Sequence, residues 1–222
     1  MLDLSGLKTL SQSSAAALAQ WNPVHPDAPI DAVACALNLN GLEVAPLNVL
    51  EKLAAWSVPC DSASLMLNGL HELNPASAQV LARLSCASFI GLELANVCAI
   101  TPDSAGALCD GGITWLRLGL RTITPETAAV LGASMIDLIS LPKLDRIEAA
   151  SIYGLAGLGP TGELPEDEGT RSLRNRSLEL GDPSSELQDL GPGIKEALEA
   201  LQQLDVEVIV SPRTADFLAK IE

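Results

Sequence analysis

A chain of 222 residues is long enough to bury a sizeable core, and with 48% apolar but only 3% aromatic residues that core has to be built from Leu, Ala, Ile and Val. Thirteen basic residues against twenty-eight acidic ones leave a net charge of -15, which opposes attraction to phosphate backbones and anionic lipid, so neither nucleic acid nor membrane is expected as a partner. The five cysteines (Cys35, Cys60, Cys86, Cys98, Cys109) are an odd set without CxxC spacing, which argues against a zinc site and a disulfide framework. There is no apolar run of roughly 18 residues and no basic stretch followed by a hydrophobic one at the N-terminus, so a cytoplasmic protein is expected.

In chain order, a first segment Leu2-Asp3-Leu4-Ser5-Gly6-Leu7 recurs as Leu37-Asn38-Leu39-Asn40-Gly41-Leu42 and again as Leu65-Met66-Leu67-Asn68-Gly69-Leu70, a shared LxLxGL. A second half follows each. Leu10-Ser11 leads to Ala15 and Leu18, Leu73-Asn74-Pro75 to Ala78 and Leu81, Ile100-Thr101-Pro102 to Ala105 and Leu108, and Ile123-Thr124-Pro125 to Ala128 and Leu131. A weaker copy runs from Ile136 through Leu138, Leu141 and Leu144 to Ala149, with Asp145 in the place of the Ser or Thr, making six copies between residues 1 and 153.

The two halves have different physics. Alternating LxL puts leucines on one face of a short strand and the intervening residues on the other. Ser, Thr or Asn followed by Pro starts a helix, because the side-chain oxygen caps an orphan amide and proline loses nothing at the first helical position. Ala and Leu three apart then form its buried stripe. Strand, turn, short helix and strand again predict parallel neighbouring strands with helices packed on one side of the sheet. The fold class expected is therefore α/β: a right-handed solenoid with strands on the concave side and helices on the convex side.

The LxLxGL half followed by [ST]PxxAxxLA resembles the irregular, bacterial branch of the leucine-rich repeat family over roughly residues 1–153. The resemblance implies a protein-binding scaffold, a role that bacterial effectors also fill, and no catalysis. Gly6, Gly41, Gly69 and, in the fourth copy, Asn96 stand at the family's asparagine or cysteine position, and the intervals through Gly119 run 35, 28, 27 and 23 residues, so a regular asparagine ladder is not expected.

The long first interval holds Asn22-Pro23-Val24-His25-Pro26-Asp27-Ala28-Pro29, read as a protruding loop. Trp21 and Trp56 lie at equivalent places at helix ends and are expected to pack structurally. Residues 154–177 break the repeat with Gly154, Gly157, Gly159-Pro160, Gly162, Pro165 and Gly169 and the acidic run Glu166-Asp167-Glu168, and read as a loop or linker followed by the basic patch Arg171, Arg174 and Arg176. No Lys followed by Ser or Thr closes a phosphate-binding motif there. Residues 178–222 read as a degenerate repeat and a cap: Leu178-Glu179-Leu180-Gly181 as an eroded copy, Ile194, Ala197, Leu198, Leu201 and Leu204 as one helix stripe, Val206–Val210 as a strand and Ser211–Ala219 as another helix half. No segment shields the first strand, so a longer parent protein or a homo-oligomer joined through the uncapped N-terminal end is expected.

Two histidines, His25 and His71, give little material for catalysis, and neither has ligand-spaced neighbours; no enzyme, cofactor or metal is expected. Cys98 and Cys109 occupy places where the copies carry small apolar residues and are expected to be buried. The partner-binding residues expected are those alternating with the leucines on the concave face: Asp3, Ser5, Asn38, Asn40, Met66, Asn68, Glu93, Ala95 and Asp137. This polar, partly acidic set suits another protein or peptide, and a basic one in particular. The alternative is an acidic inhibitor of the immunity or antitoxin type that blocks a basic partner.

Overall fold

The computed structural model describes residues 1–22, 34–58, 61–86, 89–158, 177–181, 189–190, 193–203 and 206–210. Its elements follow the sequence halves: β1 (Leu2–Asp3), α1 (Gln12–Ala19), β2 (Ala34–Asn38), α2 (Leu47–Leu53), β3 (Ser57–Val58), β4 (Ser62–Met66), α3 (Pro75–Leu81), β5 (Ser85–Cys86), β6 (Phe89–Leu94), α4 (Pro102–Cys109), β7 (Trp115–Leu118), α5 (Pro125–Gly132), β8 (Leu138–Leu141), β9 (Arg146–Ile147), α6 (Ala149–Leu155), β10 (Ser177–Leu180), β11 (Asp189–Leu190), α7 (Ile194–Gln203) and β12 (Glu207–Val210). Eight strands form one parallel sheet in the order β1-β2-β4-β6-β7-β8-β10-β12, so spatial order is chain order. Two small parallel ladders, β3 with β5 and β9 with β11, lie outside it. Among the described residues, no helix is long and apolar enough to cross a membrane.

Register aligns the inward side chains into an aliphatic ladder. Leu37, Leu65, Leu92, Leu116, Ile139 and Leu178 lie side by side across the sheet, all essentially inaccessible to water. The helices close this core with the expected Ala and Leu pairs, including Ala78 and Leu81, Ala105 and Leu108, and Ala128 and Leu131. In α7, Ile194, Ala197 and Leu201 are buried and Leu198 is partly so. At the β1 edge, Leu2 and Leu4 are only partly covered.

The capping signals act as their chemistry dictates. Ser11, Asn74, Thr101 and Thr124 each accept a hydrogen bond from the amide three residues on, and proline opens α3, α4 and α5. Ser104, at the equivalent helical position, turns its hydroxyl to the Leu73 carbonyl of the preceding copy at 3.0 Å, and Ser151 does the same to Ile123 at 3.1 Å. Thr101→Ala is expected to cost about 1 kcal/mol, seen as a lower urea midpoint with an unchanged denaturant slope.

Three expectations are corrected here. Asp145 does not start α6: Glu148 is the N-cap, without a side-chain bond, and the Asp145 carboxylate instead takes the Arg121 guanidinium at 2.7 Å. The boundary at residue 153 falls inside α6, where Gly154 and Leu155 are buried; the pattern failed there because glycine is the residue that permits close helix approach. Cys98 is exposed and its thiol donates to the Asn96 carbonyl at 3.2 Å, while Cys109 is half-buried; Cys98 follows the buried Val97 in a turn, where the inward alternation has ended. Trp21 and Trp56 do pack together, with ring centroids 6.1 Å apart and the Trp56 indole N–H donating to the Trp21 carbonyl at 3.1 Å. His25, Cys60, the loop residues 23–29, the glycine and acidic runs from 159 onward, Arg171, Arg174, Arg176, Leu204 and residues 211–219 lie outside the described residues.

Candidate functional site

Because side chains alternate along a strand, the sheet has a second face opposite the aliphatic ladder. Register places Asp3, Asn38, Met66, Glu93, Arg117, Ser140 and Glu179 in one lateral row on that face. A second row, one step earlier along the strands, carries Ala36, Ser64, Gly91, Trp115 and Leu138. Asn38, Met66, Glu93, Arg117 and Glu179 are half-buried, so they are held in place yet still reachable.

The expected asparagines belong to this face, but their amides are engaged with the backbone. Asn38 Oδ1 accepts from the Asn40 amide at 3.0 Å, the local turn that Asn favours. Asn40 Oδ1 accepts from the Asn68 amide at 3.0 Å, and Asn68 Oδ1 accepts from the Ala95 amide at 2.7 Å. Asn68 Nδ2 donates to Glu93 Oε2 at 3.1 Å. Two of these bonds form a short asparagine ladder, tying the second copy to the third and the third to the fourth. Asn38 lies in the outward row that the alternation predicts, and the asparagines that bond between copies stand one residue before Gly41 and Gly69.

Asp3 and Ser5 form a similar local pair. The Ser5 amide donates to Asp3 Oδ1 at 2.9 Å, and hydrogen bonding from Ser5 holds the Asp3 carboxyl below its usual range. Asp137 does not join the row. It is exposed immediately before β8, where Leu138 and Ser140 take the outward positions, because the inward pair is Ile139 and Leu141 and not Leu138 with Leu141. A strand register displaced by one residue exchanges the two faces.

Trp115, Arg117, Ser140 and Glu179 are not among the binding residues expected from sequence. The signal for Trp115 and Arg117 is Leu116-Arg117-Leu118-Gly119-Leu120, the same alternation with one residue fewer before the glycine, and that for Glu179 is the eroded copy Leu178-Glu179-Leu180-Gly181. The Ser140 hydroxyl donates to the Glu179 carboxylate. The Trp115 ring lies over Gly91: a Cβ there would come within 2.4 Å of the ring carbon Cε3. Gly91 is thus required by close approach of the indole, and both Gly91 and Ser140 are fully covered although they face outward.

At the turns following the strands, Lys8 pairs with Glu43 at 2.7 Å, and this hydrogen bond and charge lower the Glu43 carboxyl. His71 is exposed at the corresponding turn of the next copy. Among the described residues, no group of His, Cys, Asp and Glu is arranged to hold a metal ion. The site's chemistry is hydrogen bonding, charge and an aromatic surface. Compared with known protein families, with curated proteins and with solved structures, the chain gives no match.

Proposed function

We propose that the chain is a leucine-rich-repeat-like solenoid that acts as a protein-interaction module, with its outer sheet face concave and its helices on the convex side. The observation that carries this reading is the lateral row from Asp3 to Glu179: neighbouring strands in chain order present mostly polar and charged side chains across one continuous face, half-buried at Asn38, Met66, Glu93, Arg117 and Glu179. A face assembled from many copies offers area and repetition rather than a reactive pair of groups, which suits a protein or peptide partner. The thiols of Cys35 and Cys98, not joined in a disulfide among the described residues, support a reducing, cytoplasmic setting. The partly covered Leu2 and Leu4 at the β1 edge support self-association as a secondary contact.

The acidic-inhibitor reading draws on a specific feature, the carboxylates of Asp3, Glu93 and Glu179 in one row of a chain with net charge -15. It requires a very tight complex whose association slows steeply with salt, whereas a scaffold holds its partner with modest salt dependence.

The test is affinity capture from the native cytoplasm with the parent chain, Met66→Arg on the outer face and Glu126→Arg at an exposed position of α5. One partner retained by the parent and by Glu126→Arg but lost by Met66→Arg is the expected outcome. Loss with Glu126→Arg alone would transfer the binding surface to the helices. Asn40 and Asn68 are poor probes of binding, since their amides hold the copies together, and Asn38 holds the local turn at Asn40.

A further inference from the structure

Two buried side-chain nitrogens among the described residues have no hydrogen-bond partner: Trp115 Nε1 and Arg117 Nε. Both belong to β7, two positions apart on the outer face, about 7 Å along the strand. Donors shielded from water without acceptors are costly, and native chains satisfy nearly all of them. Two such donors side by side, on the one face that alternates away from the aliphatic core, point to acceptors supplied from outside the chain.

We infer that Trp115 and Arg117 form the anchor at which this face takes a carboxylate-bearing segment of a partner protein, with cationic side chains flanking that carboxylate. The inference rests on the reading of the face as a binding surface and names what it binds. The ring of Trp115 is seated against Gly91, so the indole N–H has a fixed direction and little freedom to lose on binding. Rigid Trp and Arg side chains at the middle of a face are the residues that carry most binding energy in protein interfaces.

Charge selects the ligand. In register, Arg117 lies opposite Glu93 on one side and Ser140 on the other, with Glu179 one strand further. The Glu93 carboxylate is engaged by Asn68, and that of Glu179 by Ser140. Arg117 therefore stands between two carboxylates engaged by other donors, on strands about 5 Å and about 10 Å from its own. A planar carboxylate can take the guanidinium fork and accept from the indole. A phosphate dianion meets stronger repulsion from Glu93 and Glu179, in a chain already carrying a net charge of -15. The same two glutamates favour cations on either side of the bound carboxylate, giving the partner a plus, minus, plus order.

The test uses 15N-labelled full-length protein, in which three tryptophans give three indole signals and Trp115→Phe identifies that of Trp115. The probes are acetyl-Lys-Gly-Glu-Gly-Lys-amide and the same peptide with glutamine at its centre. A saturable shift of the Trp115 signal with the glutamate peptide, at least tenfold weaker with the glutamine peptide and lost in Arg117→Met, is expected. Arg117→Met alone is also expected to leave the urea midpoint unchanged or raise it, since an unpartnered donor disappears. A fall in that midpoint, equal affinity for both peptides or a stationary Trp115 signal overturns the anchor. Shifts confined to other outer-face residues would remove the anchor and leave the face; capture of the partner through α5 would remove the face itself.

Discussion

Gly132→Ala is expected to lower the stability of the chain by about 1–3 kcal/mol, measured as a fall in the urea midpoint, because the added methyl has no space. Gly132 ends α5 and is buried against α6, where a Cβ would stand 1.7 Å from the Gly154 carbonyl oxygen. On the opposite side, a Cβ at Gly154 would meet the Ala129 amide nitrogen at 2.8 Å. Each helix thus uses a glycine to admit the backbone of the other. Neither backbone group can swing aside as a long side chain can, so the helices must separate and open the core around Leu131 and Leu155.

Gly106→Ala is the matched control and should move in the opposite direction. This glycine lies inside α4, and the nearest atom to its added Cβ is Val130 Cγ1, at an ordinary contact distance of 3.7 Å. Alanine there removes the entropic penalty of a helical glycine, so a gain of about 0.5–1 kcal/mol is expected. Equal effects at Gly106 and Gly132 would contradict the close approach of α5 and α6.

The second large effect belongs to Asn68. Asn68→Ala withdraws the acceptor from the Ala95 amide and the donor from Glu93, and is expected to cost about 2 kcal/mol, with faster hydrogen exchange at the Ala95 amide. Asn48→Ala removes only an exposed contact with Gln12 and should change stability by less than about 0.5 kcal/mol. An unaltered Ala95 exchange rate in Asn68→Ala would show that the ladder contributes nothing to holding the copies together.

The periodic parts of the structure were legible because period alone determines them. LxL specified which side of β2 and β4 is apolar, and Ser, Thr or Asn before Pro located the starts of α3, α4 and α5. Alternation predicts the outward face for the asparagines, but whether a side chain reaches solvent or the next copy depends on the stacking of segments 27 or 28 residues apart, which no local pattern encodes. Asp137 was misplaced because Ile136, Leu138, Ile139 and Leu141 support two alternations, and only pairing with β7 selects one. Trp115 and Arg117 were overlooked because their copy is one residue short before Gly119. The demand for glycine at 132 and 154 arises from the distance between two helices, a quantity absent from either segment alone.

The coincidence of strand order with chain order bears on how the protein is made. Leu116 finds its partner Leu92 only 24 residues upstream, and closing so short a segment is entropically mild. During synthesis each emerging strand can dock on the one laid down just before it, without awaiting distant sequence. Besides the β1 edge, the open edge at any moment is the newest strand, and the ribosome supplies its cover next, which limits the time that this edge is open to other chains.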